Sequence, residues 1–316
     1  MIVDLVAALG QARADVLAML VSFALTALML SVCRTCLPQD HGRQFAVNGA
    51  LSRGKARGAG VVFIPCVALV TLAFTPFSPE LLIYMLLLIA SMLSGYLDDA
   101  AETPWNEYKK GLIDFVIAAA AGLNFLNFDT PEIQVLGMAI QLPGWLYLLL
   151  SVVLIWASIN VTNCSDGVDG LCGTVCIVSV GTFLVAFADQ LGSYTMSGMI
   201  LIAALCAYLW RNASPSTMMM GDAGSRALGF FLAVLAMKSH HPLAFLLAAL
   251  VLILDGGLGI LKISLKRFLH IWILKNTRTP LHDHARKNHD WSDAQVVLRF
   301  AILQALASAV LLLLVW

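Results

Sequence analysis

The chain has 316 residues, of which 60% are apolar and only 12% charged, with a mean hydropathy of +0.86. Soluble domains carry about 45–50% apolar and about 25% charged residues, so a water-soluble globule and a disordered chain are both excluded. With 19 Lys plus Arg against 19 Asp plus Glu, no basic excess exists to hold a polyphosphate backbone, and no nucleic-acid partner is expected.

What remains is a protein whose partner is the lipid bilayer. A crossing helix needs roughly 20 mostly apolar residues. Met1 to Gly10 is too short for that and lacks a basic start, so no cleaved signal peptide is expected. Ten stretches then qualify in chain order: 15–37, 58–77, 80–97, 111–127, 144–163, 170–188, 195–211, 224–240, 242–268 and 294–316. Their apolar runs are continuous rather than alternating, which argues against strands. The predicted fold class is therefore all-α: a polytopic membrane protein with about ten transmembrane helices. No linker tract or internal repeat divides it, so residues 1–316 are read as a single membrane domain. The two long connections are 38–57 and 269–293. Within the second, His270 to Leu274 reads either as an interfacial amphipathic segment or as the end of the ninth span.

Lys and Arg set the orientation. With ten spans, 17 of the 19 basic residues fall on one side, from Arg34 and Arg43 to Arg299, and only Arg13 and Lys238 on the other. The basic side is expected to be cytoplasmic and both termini periplasmic.

The seven cysteines lie mostly in apolar runs, where free Cys acts as a small hydrophobe. Cys33 and Cys36 form a CxxC with no second pair, and Cys164 sits in a polar motif open to thiol reagents. The cluster His282, Asp283, His284 and His289 is not HExxH and has no Cys ligands, so a phosphate-contacting or acid–base role beside Arg278, Arg286 and Lys287 fits better than zinc.

The acids carry the chemistry. Asp98 and Asp99 end the third span, Asp166 and Asp169 follow the fifth, Asp222 precedes the eighth, and Asp283 lies in the last loop. All fall on the basic side. Any one of them alone reads as a helix cap or a solvated loop end; four clusters on one face do not. Neighbouring carboxylates repel unless a cation lies between them, and Mg²⁺ is held by one or two carboxylates plus substrate phosphates. Turns opening helices add N–H groups for an anion, and Lys and Arg can hold a diphosphate. The inventory suits phosphoryl transfer from a Mg²⁺-bound nucleotide diphosphate in a cytoplasmic cleft. No GxxxxGK[ST] is present, so a P-loop ATPase is excluded. Asp114 and Asp255 are the acids placed inside spans; Asp255, beside Gly256 and Gly257, is expected to satisfy a neighbouring helix.

Four pieces carry a family resemblance. They are Asp98-Asp99; the NxxNxxDGxDGL run from Asn160 to Leu171; LWRNASPSTMMMGDAGSRALG from Leu209 to Gly229; and PLHDH from Pro280 to His284, followed by Trp291 and VVLRF at 296–300. Their order and spacing resemble the polyprenyl-phosphate N-acetylhexosamine-1-phosphate transferases, a glycosyltransferase family 4 group, and most of all their phospho-N-acetylmuramoyl-pentapeptide transferase branch. The resemblance implies a bacterial inner-membrane enzyme that moves phospho-MurNAc-pentapeptide from UDP-MurNAc-pentapeptide to undecaprenyl phosphate, giving lipid I and UMP, with Mg²⁺ as cofactor and a homodimer as assembly. It implies Asp222 as the magnesium ligand and Asp98 and Asp99 as the catalytic pair, with Asp99 a base for the lipid phosphate. Asp169 and Asn212 match the uridine pocket, and Asn160, Asn163 and Asp166 match polar residues lining the same cleft. Lys109 matches a lysine beside the diphosphate, and His282 and His284 the histidine-rich loop.

The chain departs from the family pattern at four places. Asp283 interrupts the histidine run, Glu102 stands at the DDxxK lysine, and Met219 stands where a uracil-stacking Phe is usual. The loop before span two reads GKARGAG, leaving Arg53 and Lys55 as alternative nucleotide contacts. Direct attack by the lipid phosphate and a path through an aspartyl-phosphate both stay open. The competing readings are a sibling transferase using UDP-GlcNAc or another UDP-HexNAc, and a secondary transporter. The transporter fits poorly, because its acids belong at mid-membrane in a repeat interface.

Overall fold

The computed structural model describes residues 10–40, 53–101, 103, 105–135 and 137–315. The readings placed on Met1 to Leu9, Arg43 and Glu102 lie outside the described residues. Within them the chain is mostly helical. In order come α1 (Gln11–Cys33), β1 (Ala56–Arg57), α2 (Gly60–Phe74), α3 (Pro79–Asp99), α4 (Glu107–Phe128), β2 (Glu132–Val135), β3 (Met138–Gln141), α5 (Gly144–Cys164), α6 (Leu171–Ala186), α7 (Ser193–Asn212), β4 (Met218–Met219) and α8 (Gly221–Lys238). A broken segment over 242–257 leads into α9 (Leu258–Phe268), then α10 (Leu281–Asn288) and α11 (Asp293–Val315). Local signals set several ends: Ser78 caps α3 through its Oγ with Pro79 at the first turn, and the Asn106 side chain caps α4.

Among the described residues, six helices (α1, α3, α4, α5, α7 and α11) are long and apolar enough to cross a membrane, and the bent pair over 242–268 makes a seventh if it counts as one span. The other apolar helices fall short for physical reasons. α2 and α6 have 15 and 16 residues. α8 carries Asp222, Arg226 and Lys238 in 18 residues. The predicted ninth span is not one straight helix: it bends by 74° at the break between Ala248 and Leu250, and a π-helical turn follows at Ile253–Gly257. Its helix ends at Phe268, so His270 to Leu274 is not helical; Lys266 instead lies 4.5 Å over the Trp272 ring. The strands depart from the all-α expectation: β2 and β3 form an antiparallel hairpin turned at Gly137, whose φ is +79°, and β1 pairs in parallel with β4.

α8 is the axis of the bundle. Every residue from Ala223 to Lys238 is buried, among α2, α3, α5 and α6. Such packing needs backbones in contact, which small residues allow in a membrane. A Cβ on Gly229 would fall 2.5 Å from the Ser158 carbonyl of α5, and one on Gly95 of α3 would fall 2.3 Å from the Asp222 carbonyl. The outward faces carry Leu20, Val32, Phe115, Val116, Val153, Leu306 and Leu313, all exposed, as a lipid-facing surface requires.

Two basic residues assigned to the loops by composition turn out to be buried. Arg226, 3% exposed, is paired with Asp114 of α4 and donates to Ser94 Oγ at 3.3 Å. Lys238, at the other end of α8, donates to Glu80 at 2.9 Å and to Asp129 at 2.7 Å, with His240 completing the cluster on Asp129 at 3.4 Å. A charge removed from water needs such partners. Lys238 is therefore a buried counter-ion and says nothing about loop charge.

Candidate active site

The ends of α3, α5 and α7 and the starts of α2, α6 and α8 meet at one end of the bundle. The centre is the first turn of α8. Asp99, the last residue of α3, accepts a hydrogen bond from the Asp222 backbone N–H at 2.8 Å through Oδ2. A carboxylate on the free N–H groups of a helix start is favourable. Its Oδ1 accepts from Arg57 at 2.6 Å, and Arg57 also reaches Asp40 at 3.4 Å. Asp98 turns the other way: Oδ1 accepts from the Trp105 backbone at 2.9 Å and Oδ2 pairs with Lys110. The expected acidic pair is thus split between two protein cations, which relieves its repulsion without a shared metal.

Asp222 is partly exposed, and its Oδ2 accepts from Asn163 Nδ2 at 3.3 Å. Asn163 in turn accepts from Ser225 Oγ at 2.7 Å, so α5 and α8 are joined beside the acid. Asn160, one turn earlier on α5, donates to Trp156 at 2.8 Å and approaches Asp114 at 3.4 Å, facing the buried Arg226 pair rather than Asp222.

The second half of the site is the turn between α5 and α6. Asp169 Oδ2 accepts from Lys55 Nζ at 3.0 Å and from the Ser216 backbone at 3.1 Å, and Lys55 also donates to Ser216 Oγ at 2.8 Å. Lys55 precedes β1, which pairs Ala56 with Met218 and Arg57 with Met219. This small sheet therefore carries the Lys55–Asp169 and Arg57–Asp99 links to the strand that leads into Asp222. Asn212 is buried and spends both amide atoms on backbone, accepting from Gly170 N–H at 2.9 Å and donating to the Met218 carbonyl at 2.8 Å. Met219 is partly exposed on β4. Arg53 is exposed in the preceding turn and is not on Asp169; Lys55 is. Lys109 is exposed and lies 3.5 Å over the Trp105 ring, while its neighbour Lys110 meets Asp98.

α10 closes the site. His282, 3% exposed, rests its ring on Gly167, where a Cβ would fall 2.2 Å from Nε2. Asp255 of the π-helical turn accepts its backbone N–H and holds its Nδ1, each at 2.8 Å. Arg286 bridges Asp283 at 3.1 Å, Asp293 at 3.0 Å and the Gly167 carbonyl at 3.4 Å. His284 points elsewhere, its Nδ1 accepting from the Arg278 backbone at 3.3 Å.

The site thus gathers Asp98, Asp99, Asn163, Asp169, Asp222, Lys55 and His282, and leaves His284, Lys109 and Arg53 at its edge. Arg57, Asp40 and Lys110 are the polar residues the sequence reading left unassigned; Asp255, expected to satisfy a neighbouring helix, accepts from the start of α10. The signal for Asp255 was present: a lone acid in an apolar run. Arg57, Asp40 and Lys110 had none, because their partners are far away in sequence.

Among the described residues no three His, Cys, Asp or Glu side chains are gathered as a metal cage. The donors at the head of α8 are hard oxygens on a partly exposed carboxylate. That suits a cation completed by substrate phosphates rather than by an all-protein cage.

Between α5 and the broken segment, from Val161 and Ile253 near the site toward the opposite end of the bundle, runs an apolar groove of about 350 Å³. Tyr147, Leu150, Leu154, Val161, Leu246 and Ile253 line it, and Ile133 of the hairpin marks its far end.

Residues 81–240 match the family model described as glycosyl transferase family 4. Several similar curated proteins carry the name phospho-N-acetylmuramoyl-pentapeptide-transferase. That of Treponema pallidum (strain Nichols) is 44% identical over 299 residues, 87% of this chain and 82% of the relative. That of Symbiobacterium thermophilum is 30% identical over 258 residues, covering 76% of each. That of Wolbachia pipientis wMel is 26% identical over 266 residues, 79% of this chain and 81% of the relative.

Proposed function

The chain belongs to glycosyl transferase family 4, among the phospho-N-acetylmuramoyl-pentapeptide-transferases, and from that premise we propose that it transfers phospho-MurNAc-pentapeptide from UDP-MurNAc-pentapeptide to undecaprenyl phosphate. The products are lipid I, a peptidoglycan precursor, and UMP. The observation that carries this reading is the Asp99–Asp222 junction, 2.8 Å across, fed by Asn163 on one side and by the Lys55–Asp169 link on the other. An anion-binding helix start beside carboxylates and lysines from distant segments is the equipment of phosphoryl transfer.

In this account the whole chain is one bacterial inner-membrane unit of about ten spans, with periplasmic termini, the cleft on the cytoplasmic side and a homodimer as the assembly. The segregation of basic residues supports that orientation. Asp222, with Asn163 beside it, holds Mg²⁺. When bound, that ion neutralises the diphosphate and stabilises the departing UMP. Lys55 and Asp169 with Met219 form the wall that receives the uridine, and Asn212 fixes the backbone of that wall. The apolar groove seats the polyprenyl chain, which brings its phosphate to the polar end.

The chemistry is then an in-line exchange. A lipid phosphate oxygen attacks the sugar-bearing phosphorus, and the bond to UMP breaks. Both oxygens of Asp98 and both of Asp99 already have protein partners. That favours direct attack over an aspartyl-phosphate intermediate. Asp99 orients Arg57 and the head of α8. The test is UMP release by the purified protein with undecaprenyl phosphate and a panel of UDP-sugars. UDP-MurNAc-pentapeptide is the expected substrate; preference for UDP-GlcNAc would assign the chain to a sibling transferase, and release from no UDP-sugar would refute the enzyme.

A further inference from the structure

We propose that Asp255 is a positioning residue for His282, fixing which ring nitrogen carries the proton; this rests on the transferase reading above. Asp255 is 1% exposed and lies in a π-helical turn inside an otherwise apolar segment. A carboxylate there is costly and needs a purpose, and π-turns recur at functional sites. Both of its oxygens go to one residue, 27 positions away. One oxygen accepts the His282 backbone N–H and anchors the start of α10; the other, at 2.8 Å, holds the ring Nδ1. An anchor needs only the first bond. The second has a chemical consequence, because an ionised carboxylate can only accept. Nδ1 therefore carries the proton, and the lone pair of the neutral ring is on Nε2.

Nε2 lies against Gly167, in the turn that bears Asp166 and Asp169, with Asp283 at 3.9 Å. The π-turn itself is pressed onto α5, since a Cβ on Gly256 would fall 2.2 Å from the Val161 carbonyl. Asp255 thus locks ring, turn and α5 together two residues before Asn163. The lone pair on Nε2 accepts the proton of an incoming phosphomonoester: the O–H bond breaks, an N–H bond forms, and the imidazolium is neutralised by Asp255. The proton then passes to solvent with the departing nucleotide.

Asp255→Asn tests the assignment. The amide oxygen still accepts the His282 N–H, but its NH₂ now donates to Nδ1 and the ring proton moves to Nε2. Turnover is expected to fall by about 10²-fold or more, in the range of a lost acid–base group. KM for the UDP-sugar should stay within about threefold, as expected when a group acts only on the chemical step. Nitrogen-15 NMR of histidine-labelled protein at alkaline pH, with the His282 signal assigned by its loss in His282→Gln, supplies a readout that does not need activity. Wild-type protein should show protonated Nδ1 and bare Nε2, and Asp255→Asn should swap them. A wild-type ring protonated on Nε2 overturns the proposal. So does an Asp255→Asn enzyme with normal turnover, or one that loses only KM. Wild-type protein that releases no UMP would instead refute the transferase reading, leaving the tautomer to be judged by NMR alone.

Discussion

Gly95→Ala probes how closely the catalytic end depends on backbone contact between α3 and α8. Gly95 lies one helical turn before Asp99. A methyl there would fall 2.3 Å from the Asp222 carbonyl oxygen and 2.6 Å from the Ala223 nitrogen. These are main-chain atoms and cannot rotate away. Reaching ordinary contact at 3.4 Å moves the two helices apart by about 1.1 Å. That shift takes the 2.8 Å bond between Asp99 and the Asp222 N–H out of useful range. Overpacking of this kind costs about 1–3 kcal/mol, and a misplacement of about 1 Å at a reacting centre costs about 10²-fold in rate. UMP-release kinetics and a thermal melt in detergent measure both. Gly181→Ala is the control: its methyl meets open space in α6, so turnover should not change and helix propensity should add about 0.5–1 kcal/mol. A Gly95→Ala protein with normal turnover and melting point would refute the claim that this contact sets the geometry of the site.

Three further outcomes follow from the same geometry. Asp222→Ala should lose turnover by at least about 10²-fold together with its response to Mg²⁺ titration; a variant retaining a normal metal response would remove Asp222 as ligand. Lys238→Met should destabilise the fold by about 3–5 kcal/mol, because buried Glu80 loses its cation and Asp129 is left with His240 and Thr130 alone. At permissive temperature it should still turn over normally, since an 18-residue helix puts Lys238 about 25 Å from Asp222; a melt like wild type would show the cluster to be idle. Burial pushes the Asp129 carboxyl up, but the hydrogen bond and charge of Lys238, with Thr130 and His240, outweigh it and hold the group below its ordinary 3.8. The unfolded chain therefore binds the proton more readily. The stabilisation is full above about pH 4–5, and is lost as pH falls through 3.8 and then through the lower folded value. Asp129→Asn should flatten that acid limb in melts recorded against pH, and an unchanged limb would contradict the assignment.

The extent to which the sequence announces this structure varies with the range of the interaction. Each of the ten apolar stretches overlaps a helix or the broken pair, because a long apolar run reports its own burial. Asp99, Asn163 and Asp222 come together at the head of α8, while Asp98 turns to Lys110. What hydropathy hid is the inside of the bundle. α8 carries three charges yet is its most buried helix, and nothing near Arg226 or Lys238 in sequence names Asp114, Glu80 or Asp129. The bend near Ala249 falls in an unbroken apolar run, with only Asp255-Gly256-Gly257 to mark it. Lys109 and Lys110 are adjacent and chemically identical; helix phase alone gives Asp98 to Lys110 and stacks Lys109 on Trp105. Met219 and Arg57 share a site because β1 pairs with β4, and two-residue strands leave no periodic trace.

The central claim is that the acids at the head of α8 carry out one metal-assisted transfer between a nucleotide and a lipid phosphate. The most direct measurement is UMP release from UDP-MurNAc-pentapeptide by the purified protein, with undecaprenyl phosphate and Mg²⁺ each present or withheld. UMP should appear only when both are supplied, in step with lipid-linked product. Equal release without the lipid, or lipid product formed in the presence of a chelator, would contradict the account.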